Sequence, residues 1–489
     1  MVQRREFLKG IAVLSAGVTL AGCQRKLPSL FSDHPEEIDP QALSLSEMDW
    51  QLLNLVTFGP TLTERHYVSE IGMPAYIEEQ LAPDMIDDPI LAQMRMRRLE
   101  SVHLDSSMIF DVPEHTVTRE LQQMTLLRAI YSRRQLHEVM VDFWSNHFHV
   151  SQLKGHCAWL KTIDDREVIR PHALGNFRDL LYASAKSPAM LVYLDNQQNF
   201  AAAPNENYAR ELMELHTLGV DGGYTQADVQ ELARCLTGWT VAGNFRPSRF
   251  SFNPDIHDDG TKQILGLVIP AGLQQQGCER VLDHLATHPQ TARFICTKLA
   301  RTFVSDHPPI ELVEQATETF LQTDGDIKAV LRTILYAPLL AQPLLRQAGH
   351  RKLKRPFNYI TSALRQLNAD TDAGKPILAY LSQMGQPLFQ WATPDGFPDQ
   401  AEAWQGTLMT RWQFALALAQ NRIPGTKIDY RSLSLGTDEP EHQQVVFYAS
   451  RLFGKPLPAP RVDHIVNQPT FDHQVALAAL LGSPEFQWK

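Results

Sequence analysis

VTRELQQMTLLRAIYSRRQLHEVMVDFWSNHFH, residues 117–149, repeats its apolar positions at intervals of three and four. That spacing lays one stripe along a helix of 3.6 residues per turn and does not fit the strict alternation of a half-buried strand. Working outward, the same spacing recurs in Trp50–Val56, Asn205–Leu218, Ala227–Leu236, Val281–Phe303, Ile310–Leu321, Ile327–Tyr336, Phe357–Leu367, Met409–Ala419 and Val475–Leu481. Strand and helix do not alternate regularly, which argues against a doubly wound sheet. The expected fold is mainly α: one large multi-helix domain over residues 46–489. One stretch departs from the pattern. Trp239–Pro270 joins the alternation SRFSF, turn residues around His257–Gly260 and the run Gln263–Ile269, and reads as a small β-hairpin insertion. A second, QPLFQWATPDGFPD at 386–399, has the Pro, Gly and aromatic density of an ordered surface or pocket-lining loop.

Apolar content of 44% and charged content of 20% suit a large buried core and not a disordered chain. The net charge of -10 and the want of any long Lys/Arg tract count against nucleic acid as a partner, because phosphate binding needs a dense basic footprint. Cys157, Cys235, Cys278 and Cys296 form no CxxC pair. Buried free thiols are the default, and a Cys278–Cys296 disulfide in an oxidising compartment is the alternative.

The chain starts MVQRREFLK and continues into the apolar run IAVLSAGVTLAG, the layout of a signal peptide over residues 1–22. Arg4 and Arg5 ahead of Phe7, Leu8 and Lys9 resemble a twin-arginine signal, which exports folded proteins; an ordinary secretory head is the alternative. Leu20, Ala21, Gly22 and Cys23 resemble a lipobox, in which the cysteine receives a diacylglyceryl group and becomes the new N-terminus. A chance cysteine beside an ordinary cleavage site is the alternative. Acyl chains on Cys23 would hold the protein at a membrane, and Gln24 in place of Asp resembles lipoproteins sorted to an outer membrane. Residues 23–45 read as a lipidated tether. The expected location is the cell envelope.

Three segments could carry chemistry. In NENYARELMELHTLG, Asn205 is a plausible N-cap, Tyr208, Leu212 and Leu215 form the apolar stripe, and Arg210 with Glu214 reads as an exposed ion pair. Glu211 and His216 flank the stripe, where each either faces a pocket or is satisfied within the core. In VMVDFWSNHFHV, His147 shares a stripe with Met140, Phe143, Trp144 and Val150; it is a core histidine with one partner, a metal ligand or a general base. Asp142, Asn146 and His149 lie opposite, as on a solvated face. In FNPDIHDDGTKQILG, His257, Asp258, Asp259 and Lys262 surround Gly260, either as a metal or anion site or as plain turn chemistry. Thr225 and Asp228 form a capping box that needs no functional reading. GxSxG, P-loop, HExxH and GxGxxG signatures do not occur.

Together, FWSNHF, IRPHALGNFRDLLYASAKSPAMLVYLDN, NENYARELMELHTLGVDGGYTQADVQELARCLTGW, HDDGTKQILG, ATPDGFPD with Trp404, and Arg411–Trp412 resemble the domain of unknown function 1800 family of bacterial exported proteins. The matching positions are His147, Asn205, Glu206, Asn207, Tyr208, Arg210, Glu211, Glu214, His216, His257, Asp258, Gly260 and Lys262. The family assigns no catalytic residues, so the match assigns none here. It does imply export and an envelope partner from the domain of unknown function 1501 family, which is similar to phosphatases and sulfatases. Two functions follow as expectations. In the first, His147, Glu211, His216, His257 and Asp258 converge as the site of an envelope hydrolase, with His147, Glu211 and His257 as candidate ligands of a divalent metal. In the second, the protein is a non-catalytic lipoprotein that docks the phosphatase-like partner.

Overall fold

Ser46 caps the helix α1 (Glu47–Val56) by accepting the Asp49 amide, and a Thr61–Glu64 capping box starts α2 (Leu62–Ile71), which meets α3 (Met73–Gln80) at Gly72. The computed structural model describes Leu43 and residues 45–88, 90, 98–243, 246–339, 352–431, 433, 440–467 and 471–489. Arg4, Arg5, Cys23 and nearly all of the 23–45 tether lie outside the described residues.

The 117–149 stretch forms two helices, α4 (Glu114–Tyr131) and α5 (Gln135–His147). Apolar spacing runs through the junction, but Ser132 is extended, its hydroxyl donating to Asp88 and accepting the Arg134 amide. The Gln135 carboxamide donates to the Ala129 and Ser132 carbonyls. Side-chain bonds to the backbone replace the helical ones there.

Next come α6 (Cys157–Asp164), continued by a π turn over Asp165–Ile169, then α7 (Phe177–Ala185) and α8 (Pro188–Tyr193). Asn205 caps α9 (Glu206–Glu211), which also runs into a π turn, Leu212–Thr217. Thr225 and Asp228 form their capping box on α10 (Gln226–Cys235). The insertion after α10 holds two antiparallel hairpins: β1 (Trp239–Ala242) with β2 (Arg249–Phe252), Trp239 facing Phe252, and β3 (Lys262–Ile264) with β4 (Leu267–Ile269), Lys262 facing Ile269. His257–Gly260 links the hairpins and is the tip of neither.

The stretch Val281–Phe303 is divided between α11 (Gln275–Ala286) and α12 (Pro289–Phe303), because Pro289 ends one helix and suits the first position of the next. Then follow α13 (Ile310–Gln322), α14 (Ile327–Leu339), α15 (Pro356–Gln366), β5 (Asp370–Thr371), α16 (Lys375–Gln383), α17 (Leu408–Ala419), β6 (Thr426–Lys427, paired with β5), α18 (Glu441–Phe453), α19 (Ala459–Val466) and α20 (His473–Gly482). Helix packing is densest between α17 and α20 and along α12, α13 and α14. Cys157, Cys235, Cys278 and Cys296 are free and buried. Among the described residues no helix is long and apolar enough to cross a membrane.

Helix α15 is buried along its whole length. Its Arg365 donates to the carbonyls of Gly59 at 2.8 Å and Ile130 at 2.6 Å, and bidentately to Glu64 at 2.7 and 2.8 Å. One side chain thereby ties α15 to the α1–α2 corner and to the end of α4. Gly59, at φ +113°, lets that corner touch α15 directly: a Cβ there would sit 2.5 Å from the Ser362 Oγ. Arg365→Leu leaves a half-buried carboxylate and two carbonyls without their donor, so it is expected to cost about 3–5 kcal/mol in urea unfolding; a loss under about 1 kcal/mol would contradict this anchoring role.

Candidate functional site

Five residues of α5, Val139, Asp142, Phe143, Asn146 and His147, recur at three- and four-residue spacing and form one wall of an open cavity of about 90 Å³. Lys298, Arg301 and Thr302, spaced likewise, bring α12 to it. Lys352, Leu353, Arg355 and Asn358 close it at the entry to α15, with Asp399 from the 386–399 loop and Lys489, held by the Leu353–Trp488 bridge.

His147 is 2% exposed, enclosed by Phe143, Trp144, Phe148 and Phe294. Its Nε2 lies 3.1 Å from the His216 carbonyl, which can only accept, so the proton resides on Nε2. Nδ1 is left as an acceptor and takes a hydrogen bond from the Lys298 Nζ at 2.9 Å. Burial, then Lys298 and His216, push the His147 pKa well below the ordinary histidine value. Burial pushes the Lys298 ammonium down to about 8; Arg301 adds to this, while Asp399 and Asp395 oppose it.

His216 is fully buried by the π turn, beneath Phe148 and Tyr208. The Leu218 amide bonds back to Met213, five residues earlier, which rotates everything after Leu212 relative to an α-helix. Met213 and His216 therefore take the inward positions that simple periodicity gives to Leu215. Among the described residues neither ring nitrogen of His216 has a hydrogen-bond partner, and burial drives its pKa down to about 3. Arg210 pairs with Glu206 at 3.0 Å instead of Glu214, whose carboxylate accepts from Tyr224. Glu211 is half-buried; burial and Glu214 raise its pKa, Arg210 opposes, and Asp395 adds to the rise.

The supposedly solvated face of α5 is engaged as well. Asp142 is paired with Arg355. The Asn146 carboxamide grips the Phe397 backbone, donating at 2.9 Å and accepting at 2.8 Å, and the His149 Nε2 donates to the Trp391 carbonyl at 3.0 Å. Gly396 allows this approach: at φ +74° a Cβ would lie 2.4 Å from the Asn146 carbonyl. The 386–399 loop is thus fastened over α5, with Tyr193 donating to Ala392 at 3.2 Å. Burial lowers the His149 pKa to about 4.

The second cluster is knit into its own turn. His257 donates from Nδ1 to the Thr237 carbonyl at 2.7 Å. Asp258 receives Arg234 bidentately at 2.7 and 3.1 Å, and Arg234, followed by burial that opposes it, holds its carboxyl down at about 2. Lys262 donates to the Asp258 and Gly260 carbonyls, and Asp259 accepts the Gly272 and Gln274 amides. The structure therefore brings His147 and His216 together and leaves His257 and Asp258 in separate company. His147, Glu211 and His257 do not assemble as ligands: among the described residues no three His, Cys, Asp or Glu side chains could share a metal ion. The cation-rich cavity would also repel a divalent cation. The periodicity passed over Lys298, Arg301, Lys352, Arg355 and Lys489; the available signals were the three-residue step from Lys298 to Arg301 and the segment KLKR at 352–355.

The fold and site together define a mainly helical protein built around a cation-walled cavity. Within that class, the chain belongs to the family described as Protein of unknown function (DUF1800), which it matches over residues 51–488. No curated protein and no solved structure matches the chain.

His147, His149 and His216 are all held neutral in the fold, whereas an unfolded chain protonates its histidines near pH 6.5. Below that value the unfolded state binds the additional protons, so stability falls as pH falls through 6.5. Three such groups give a slope of up to about 4 kcal/mol per pH unit below about pH 6. Urea midpoints measured from about pH 7.5 to about pH 5 should drop steeply; a flat profile would show that the imidazoles are protonated in the native state.

Proposed function

We propose that the protein is an exported, lipid-anchored envelope enzyme in which Lys298 transfers protons at the wall of the cavity. One observation carries the reading: the Lys298 Nζ is held 2.9 Å from the His147 Nδ1 beside an open space. Both nitrogens of His147 are engaged, so His147 positions Lys298 and leaves the proton transfer to it. The lysine retains two further sites on its nitrogen for a reactant. With a pKa near 8 it passes readily between ammonium and amine under physiological conditions. The amine takes a proton from water or a hydroxyl as that oxygen attacks an ester, and the ammonium returns it to the leaving oxygen. Arg301 offsets the negative charge that develops between these steps.

The leader supports the envelope setting, with Arg4 and Arg5 ahead of an apolar run that ends at Cys23. Radiolabelled palmitate should enter the wild-type protein and not a Cys23→Ser variant; equal labelling of both would remove the anchor from the proposal.

The proton-transfer role can be tested before any substrate is known. Labelling of Lys298 by an amine-reactive reagent, followed by peptide mass spectrometry, should be half-maximal near pH 8, whereas an ordinary lysine titrates near pH 10.4. A midpoint at the ordinary value sinks the reading. In a screen of carboxylate, phosphate and sulfate esters, Lys298→Met should lower turnover by about 10²-fold or more. His147→Gln should lower it less, because it loosens the position of Lys298 and leaves the amine at the cavity.

A further inference from the structure

We propose that the cavity is a binding site for a doubly charged tetrahedral oxyanion, free phosphate or sulfate or the head of a phosphate monoester. The inference rests on the proposed function for its biological meaning, but it stands on a different observation: the charge balance of the cavity wall. Five cationic side chains, Lys298, Arg301, Lys352, Arg355 and Lys489, line the space against two carboxylates, Asp142 and Asp399. Those carboxylates are already used. Asp142 is paired with Arg355, and Asp399 with Lys352, which Asp306 also holds from behind.

Lys298, Arg301 and Lys489 remain, and among the described residues none of the three has an ion-pair partner. The Arg301 Nε is buried and, among the described residues, has no hydrogen-bond acceptor. Like charges gathered in a partly desolvated space repel one another, and the arrangement becomes favourable only when an anion enters. Lys489 responds as Lys298 does: burial, then Arg355 and Lys352, push it down to about 8, against Asp399 and Asp142.

Size and valence narrow the ligand. The cavity offers about 90 Å³, where one water needs roughly 10–15 Å³, so a group of a few heavy atoms fits and a polymer does not. Five cations against the carboxylates of Asp142, Asp399 and Asp306 leave an excess of two positive charges, more than the single charge of a carboxylate balances. An arginine fork with two flanking ammonium groups supplies donors on several sides, which suits the oxygens of a tetrahedron.

The test uses the full-length purified protein at about pH 7 and constant ionic strength, titrated with sodium phosphate, sulfate, acetate or chloride while the melting temperature and heats of binding are followed. Phosphate and sulfate should give a saturable rise, and acetate and chloride should not. Sulfate and phosphate also stabilise proteins generally through surface exclusion, but that effect does not saturate and does not depend on one arginine. Arg301→Gln and, from the opposite wall, Lys489→Gln should each weaken half-saturation by about tenfold or more. In the absence of anion both variants should be at least as stable as the wild type, because repulsion is relieved; this also shows that they fold. A response equal to that of chloride, a response to acetate equal to that of phosphate, or saturation unchanged in both variants would overturn the proposal.

Phosphate should further raise the labelling midpoint of Lys298 by holding its ammonium form. Arg301-dependent binding with an ordinary Lys298 midpoint would keep the oxyanion site and remove the proton-transfer role. A midpoint near 8 that ignores phosphate, without saturable binding, would do the reverse.

Discussion

A helix buried on every side must bring its polar side chains into the interior, and each must then find a partner there. Helix α15 is in that position, and much of the surrounding architecture answers its demands. Arg365 takes up carbonyls from two neighbouring elements, Thr361 bonds back to Phe357, and Tyr359 reaches the carbonyls of Arg411 and Leu481. At its N-terminal end the same helix leads into Lys352–Arg355. Lys354 lies with its Nζ 3.0 Å from the Ser362 Oγ and 3.8 Å from the Phe486 ring centre, burial holding its pKa well below the ordinary lysine value. Lys352 and Arg355, on either side of it in the chain, line the cavity. Structure and site thus share one helix: its far end fixes the fold, and its entry walls the cavity.

Two opposite solutions to buried charge lie side by side. Glu138, Arg170 and Asp165 form an internal ion-pair set, with the Arg170 Nη1 reaching both Glu138 oxygens and the Nε bonded to Asp165 at 2.8 Å. Burial works against the charge on Glu138, but Arg170 prevails and keeps its carboxyl well below the ordinary range. With Arg128 as the second cation beside them, the two carboxylates are balanced within the protein. One helix face away, cations outnumber carboxylates and remain partly open to solvent. The contrast separates a group that consolidates the interior from one arranged toward a visitor.

The helical class was readable because α4, α5, α12, α13 and α17 have the three-four spacing that it requires. Much less was readable for residues 157–193, where α6, α7 and α8 are buried on several faces and a π turn interrupts the period. His147 stood out as an imidazole in an apolar stripe, and it does sit at the cavity. Its partner did not stand out, since a lone lysine on an amphipathic helix looks like any solvated charge. The HDDG turn drew attention by composition, yet its groups satisfy one another and the turn. Asn146 and His149 looked solvated because nothing in their own helix announces that a loop more than two hundred residues later will lie across them.

The π turn at 212–217 makes the burial of His216 a matter of chain length as much as of residue type. A π turn is one residue too many for an α-helix, accommodated locally instead of being passed down the chain. Loss of a single residue from 212–215 would heal the helix, rotate His216 by about a hundred degrees and withdraw the carbonyl that holds the His147 ring. The site is therefore exposed to a kind of mutation that leaves His147, His216 and Lys298 all present in the chain: a three-base deletion in this short stretch would be a heavier lesion than most of the substitutions that could fall there.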